Sequence, residues 1–122
     1  MSDARVSLGK LGEDLAVAEL ERRGYEILDR RYRRRGGEID IIARDGETTV
    51  FVEVKTRDGC EFGDGSESVR SWKQRRMTGV ALDYASRHNL IDTPCRFDVM
   101  SIHFGANGPV IEVYQNAFDV VL

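Results

Sequence analysis

The chain has little of what marks disulfide-stapled, zinc-finger or membrane proteins. Its 122 residues include two cysteines, two prolines and one tryptophan. Cys60 and Cys95 have neither Cys-x-x-Cys nor finger spacing. That excludes a disulfide framework or zinc ribbon and leads us to expect reduced thiols in a cytoplasmic protein. Pro94 and Pro109 are isolated, and no repeat or low-complexity segment divides the chain, so residues 1–122 read as one domain. The longest unbroken apolar run, Leu15–Ala18, is far short of the roughly 20 residues of a membrane helix. No signal-peptide core precedes it. A membrane-spanning role is therefore not expected.

Charge is what the chain has in quantity: 18 basic and 21 acidic residues, for a net charge of −3. By itself that sign weighs against a nucleic-acid partner, which usually leaves a basic footprint. The distribution tells a different story. Arg30, Arg31, Arg33, Arg34 and Arg35 put five arginines into six positions. Arg70, Lys73, Arg75 and Arg76 form a second cluster, with no acid from Val69 to Arg76. Between them, residues 36–59 carry 3 basic and 6 acidic side chains. Two basic patches thus bracket an acidic centre.

Hydrophobic periodicity predicts a helix from about Ser7 to Arg23, with Leu8, Leu11, Leu15 and Ala18 on one side and Gly24 as the stop. Ala16, Val17 and Leu20 form a second apolar group, so this helix is expected to pack between elements. Tyr25–Arg33 reads as a strand ending at Gly36-Gly37. Glu38–Ala43 and Thr48–Thr56 are β-rich runs around Asp45-Gly46, the signal of a two-residue type I′ hairpin. Residues 57–67 read as a loop. A helix over about Ser71–His88 has Trp72, Val80, Ala81 and Tyr84 as core candidates. Arg96–Phe104 and Val110–Tyr114 read as strands joined by a turn containing Asn107-Gly108. The order α-β-β-β-α-β-β describes a mixed α/β domain with one central sheet.

The hairpin carries the chemistry. A turn at Asp45-Gly46 sets Arg44 opposite Glu47 and Glu38 opposite Glu53. Side chains alternate along strands, so Glu38, Asp40 and Ile42 share a face with Phe51, Glu53 and Lys55. Ile39, Ile41, Val50, Val52 and Val54 form the opposite, apolar face. Asp40 and Glu53 become diagonal neighbours with Cα atoms roughly 7–8 Å apart. Two carboxylates so placed suit Mg²⁺ or Mn²⁺, which take few carboxylates and keep positions for water and phosphate. Lys55, on the same face, suits a role beside an activated water. Spacing alone equally allows a solvated Glu–Lys surface, whose pairs contribute only about 0–1 kcal/mol. Phe51 and Ile42 on that face, and the flanking arginines, favour a covered site. Glu13 lies in line with Val17 and Leu20, as either a helix-edge acid or one aimed into the site.

Asp40 followed by Glu53-Val54-Lys55 resembles the core of PD-(D/E)xK nucleases, with Ile-Asp where the name has Pro-Asp. A longer match is more specific. Gly9-Lys10-Leu11-Gly12-Glu13, Gly36-Gly37-Glu38-Ile39-Asp40-Ile41-Ile42-Ala43, Val52-Glu53-Val54-Lys55-Thr56-Arg57, Lys73-Gln74-Arg75-Arg76 and Cys95-Arg96-Phe97-Asp98-Val99, in this order, resemble the YraN-like family of uncharacterised bacterial proteins. The resemblance implies a restriction-endonuclease-like fold similar to archaeal Holliday junction resolvases: a mixed central β-sheet flanked by helices. It implies that Glu13, Asp40 and Glu53 bind metal together with the Val54 carbonyl. It makes Lys55 the catalytic lysine and Gln74 a polar site residue.

The resulting expectation is a Mg²⁺- or Mn²⁺-dependent endonuclease acting on nucleic acid, with DNA favoured over RNA and a branched or otherwise structured form consistent with contacts that read shape. Arg33, Arg34, Arg35, Lys73, Arg75 and Arg76 are the expected phosphate contacts, and a symmetric homodimer suits a small domain on such a substrate. Two alternatives stand beside it: a non-catalytic nucleic-acid-binding protein, and an adaptor whose basic patches take an acidic protein partner. His88, His103 and Trp72 read as structural, and neither cysteine as an activated nucleophile. Asp98 reads as a supporting acid or a strand-edge one. Gly59, Gly63 and Gly65 lack phosphate-loop spacing and read as a loop able to close over substrate.

Overall fold

The structure, a computed structural model, describes residues 3–58 and 71–118, with side chains for 8–57 and 71–118. Elements run α1 (Asp3–Arg22), β1 (Glu26–Arg34), β2 (Gly37–Asp45), β3 (Thr48–Asp58), α2 (Ser71–Arg87), β4 (Cys95–Gly105) and β5 (Gly108–Phe118). The five strands form one sheet in sequence order. β1, β2 and β3 are antiparallel, β3 and β4 run parallel on either side of the segment containing α2, and β4 and β5 are antiparallel. The mixed sheet, its flanking helices and the α-β-β-β-α-β-β order are as read from the sequence. β3 runs on through Arg57 and Asp58, where a loop was expected. The rest of that loop, with Cys60, Arg70 and the three glycines, lies outside the described residues.

Each helix covers one face of the sheet. Met77, Val80, Ala81 and Tyr84 of α2 pack on Tyr32, Ile39, Ile42, Phe51, Phe97 and Val99. Ala16 and Leu20 of α1 pack on Ile41, Ala43, Val50, Val52, Met100 and Ile102. The α1 face that enters the core is therefore Gly12, Glu13, Ala16 and Leu20, whereas Leu11 is 47% exposed and Ala18 is exposed. A helix lying on a sheet buries one stripe, so the second apolar group is the core-facing one, Leu15 flanks it, and Leu11 and Ala18 face water. Gly12 permits the close approach: a Cβ there would lie 2.2 Å from Thr56 Oγ1 and 3.2 Å from Thr56 Cβ on β3.

The β2–β3 turn differs from the expected one. Asp45 pairs with Thr48, leaving Gly46-Glu47 as the turn, two positions out of the expected register. Only Gly46 has positive φ, at 62°, whereas a type I′ turn would demand it of both central residues. Placing glycine first satisfies a type II′ geometry with no left-handed Asp45. A shift of two preserves the faces, so Phe51 and Ile42 still share theirs.

Candidate active site

Regular pairing breaks down beside Asp40, and several of the candidate residues gather there. The β2–β3 ladder ends at Ile41–Val52. Asp40, the next residue of β2, turns its carboxylate to accept the Val54 N–H at 2.8 Å, so a side chain replaces the missing strand partner. Alternation also fails here: Ile39 packs on the α2 side and Ile41 on the α1 side, correcting the expectation that both line one face. On β1, Arg31 falls between the rungs Arg30–Ile41 and Tyr32–Ile39 and has a φ of 53°. Left-handed backbone at an arginine costs on the order of 1–3 kcal/mol, and such strain concentrates at functional sites.

The split leaves Asp40 between two cavities. One, of about 370 Å³, is lined by Gly9, Glu13, Arg31, Arg33, Glu38, Asp40, Val54 and Thr56. The other, of about 390 Å³, shares Glu38, Asp40 and Val54 and adds Gly37, Glu53, Trp72, Lys73, Arg76 and Met77. Asp40 and Glu53 interact directly. Burial, and then the charge of Glu53 and a hydrogen bond with it, push the Asp40 carboxyl up to about 7. A strand residue sends its N–H and C=O to the same edge, so the Val54 carbonyl faces the same gap.

The remaining expected residues divide. Glu13 is 7% exposed and points inward, which settles the choice left open by its helical position. Its carboxylate accepts from Arg30 Nη2 at 2.6 Å and Arg31 Nε at 3.1 Å, and it lines the Asp40 cavity but not the Glu53 one. Among the described residues, no three acidic, histidine or cysteine side chains form a metal-sized cluster. Lys73 makes an ion pair with Glu53. Lys55, half-buried on the Glu53 face of β3 with its Cα opposite Ser101, lines neither cavity. Gln74 is half-buried on α2. Of the proposed phosphate contacts, Arg33 pairs with Glu38 at 2.7 Å and Arg34 with Asp83 at 3.1 Å. Arg35, Arg75 and Arg76 line a neighbouring groove.

Other side chains have structural partners. Asp98, on the face opposite Val99, accepts from Arg96 at 3.1 Å and from the Asn116 N–H at 3.1 Å. Arg96 also reaches Asp45 and the Tyr25 hydroxyl. His88 stacks on Tyr84 with ring centroids 4.0 Å apart, and His103 is buried against Ser101 and Glu112. Burial raises the Cys95 thiol, the opposite of activation.

Residues 12–102 match the model of the uncharacterised protein family UPF0102. The chain belongs to that family. A UPF0102 protein of Geobacter metallireducens is 50% identical over 120 residues, covering 98% of both chains. One from Geobacter sulfurreducens is 48% identical over 114 residues, 93% of this chain and 89% of its own. Among solved structures, Pyrococcus furiosus SfsA in complex with Ca²⁺ aligns with a TM-score of 0.42 and 17% identity, over 93% of this chain and 64% of that one. Every carboxylate and lysine of the candidate site in this UPF0102 chain falls inside the matched residues. Three features escaped the sequence reading: the left-handed Arg31 opposite Asp40, the contact of Lys73 with Glu53, and the exposure of Trp72. Trp72 is 50% exposed, correcting its expected core position. Only its i,i+4 spacing from Arg76 was visible in sequence.

Proposed function

We propose that this UPF0102 protein is a divalent-metal-dependent nuclease that hydrolyses phosphodiester bonds in nucleic acid, with DNA the favoured substrate. The observation that carries this reading is the pairing of two carboxylates, the half-buried Asp40 and the buried Glu53, across the split between β2 and β3. The donors fit a hard cation: two carboxylates and the Val54 carbonyl offer oxygen only, the set that suits Mg²⁺ or Mn²⁺. A pair of adjacent, partly desolvated acids is also a site that a cation relieves. Held there, the ion supplies Lewis acidity and an activated water. Glu13, from the neighbouring cavity, is an outer position that holds Arg30 and Arg31 in place. Lys73 orients the Glu53 carboxylate and sets a positive charge where a phosphate would arrive. Lys55 is carried into the site by its resemblance to the nuclease lysine.

A second reading, a nucleic-acid-binding protein without turnover, is favoured by one observation. Glu53 and Glu13 are already matched by Lys73 and by Arg30 and Arg31. A panel of duplex, single-stranded, flap and four-way DNA in Mn²⁺ separates the two. Cleavage is expected, and Asp40→Asn and Glu53→Gln should each lower it at least about a hundredfold, the scale at which loss of an electrostatic transition-state contact acts. Cleavage indifferent to both substitutions rejects the assignment. Salt-sensitive binding without cleavage supports the second reading, and absence of binding supports an adaptor. A symmetric homodimer is the assembly we propose for a branched substrate, and sedimentation equilibrium with and without four-way DNA tests it.

A further inference from the structure

The arginines of the two basic patches are not equally available. Arg30, Arg31, Arg33 and Arg34 each reach a carboxylate, on Glu13, Asp14, Glu38 or Asp83. Among the described residues, Arg35, Arg75 and Arg76 reach none. These three converge with Trp72 on a groove of about 410 Å³ floored by Gly36, Gly79 and Val80. Trp72 and Arg76 stand one turn apart on α2, and the Arg76 guanidinium lies 5.3 Å from the indole centroid. Half of the Trp72 side chain remains in water. Trp72 and Arg76 also line the cavity that holds Asp40 and Glu53, so groove and site adjoin through these two side chains.

A half-exposed aromatic surface beside three guanidinium groups that reach no described carboxylate, one of them over the indole itself, fits one chemistry: a flat aromatic ring with negative charge on either side. We infer that the groove binds an unpaired nucleotide, its base stacked on Trp72 and its flanking phosphates on Arg35, Arg75 and Arg76. Duplex DNA presents base edges, not faces, so an indole can stack only on a base that is unpaired or at a strand end. The preferred ligand is therefore a single-stranded segment, or the unpaired end of a branched one. Because the groove adjoins the Asp40–Glu53 cavity, a strand held on Trp72 would carry its next phosphate towards the carboxylates. This specificity deepens the nuclease reading and rests on it only for that last placement.

Trp72 is the chain's one tryptophan, so its fluorescence reports the groove alone. The test is run in EDTA, where no turnover occurs. An oligothymidylate should quench Trp72 emission, and a blunt duplex of equal length should quench it far less. By anisotropy of a labelled strand, Trp72→Ala should weaken single-strand binding by about five- to a hundredfold, with Trp72→Phe intermediate, the range seen for loss of one base–aromatic stack. Arg75→Ala, at an exposed position, should weaken it while leaving the residual quenching at saturation intact. Equal quenching by duplex, or by polyglutamate of matched charge, overturns the inference. So does a Trp72→Ala protein whose only change is loss of self-association, which would make the groove a contact between copies. The two readings fail separately. Quenching without cleavage of any substrate in Mn²⁺ leaves the groove assigned and rejects the nuclease. Duplex cleavage without quenching does the reverse.

Discussion

Asp40 carries the most consequential single side chain. Its carboxyl is raised from 3.8 to about 7 by burial first and by Glu53 second. The folded chain therefore keeps this proton over a pH range in which the unfolded chain has released it. Stability from the neutral form is present at low pH and is lost as pH climbs from about 4 through about 7. Asparagine mimics the neutral carboxyl and can still accept the Val54 N–H. In EDTA, Asp40→Asn should thus stabilise the protein at pH 8 by about 1–3 kcal/mol, at roughly 1.4 kcal/mol per pH unit, and by less at pH 5. Urea melts at the two pH values measure this, and a gain that does not grow with pH contradicts it. Mn²⁺ should raise the melting temperature of the wild type, as any ligand specific to the folded state does, and should not raise that of Asp40→Asn. Stability and metal binding then trade against each other at one residue.

Gly12 and Thr56 decide how closely α1 lies on β3, and hence how far inward Glu13 reaches. With Thr56 Oγ1, Cγ2 and Cβ all within 3.2 Å of a would-be Cβ, and all on a short branched side chain, Gly12→Ala forces the helix outward. A loss of about 1–3 kcal/mol is expected, the usual cost of overpacking. Thr56→Ala removes two of the three clashing atoms, so the double variant Gly12→Ala/Thr56→Ala should be more stable than the sum of the two single changes predicts. Strict additivity in denaturant melts would show that the contact is not limiting. The hairpin illustrates what sequence makes legible within an element. Strand alternation placed Glu53 and Lys55 on the face of Phe51, because a shift of two does not move a side chain across the sheet. The register itself was misread, because Asp45-Gly46 has two ways to form a turn and only one spares Asp45 a positive φ. The two buried residues either side of Asp40 were read as one face, because a broken ladder leaves no mark in the pattern of apolar residues.

For the whole molecule, a net charge of −3 is compatible with a nucleic-acid partner because the charges are sorted. Most of the first arginine cluster is neutralised internally, and among the described residues Arg35, Arg75 and Arg76 pair with no acid. Replacing all three by alanine should therefore reduce the slope of log K against log salt for single-stranded DNA by about 2. Replacing the ion-paired Arg33 and Arg34 should change it less. Binding isotherms between 50 and 200 mM salt make the comparison, and equal slopes for the two variants refute the division.

By itself the sequence determined the order of elements, the mixed sheet, the inward face of β3 and the carboxylates that belong together, since all of these follow from periodicity and turn chemistry within a few residues. Only the tertiary structure decided that Asp40 and Glu53 sit side by side at a break in the ladder and that Glu13 turns inward between two arginines. It alone showed that Lys73 meets Glu53, and that Trp72 stands half in water beside arginines that no described acid claims. Those outcomes depend on which charges from distant segments meet when two helices close on opposite faces of one sheet. Charge pairing across 17 to 49 residues of chain leaves no period to read.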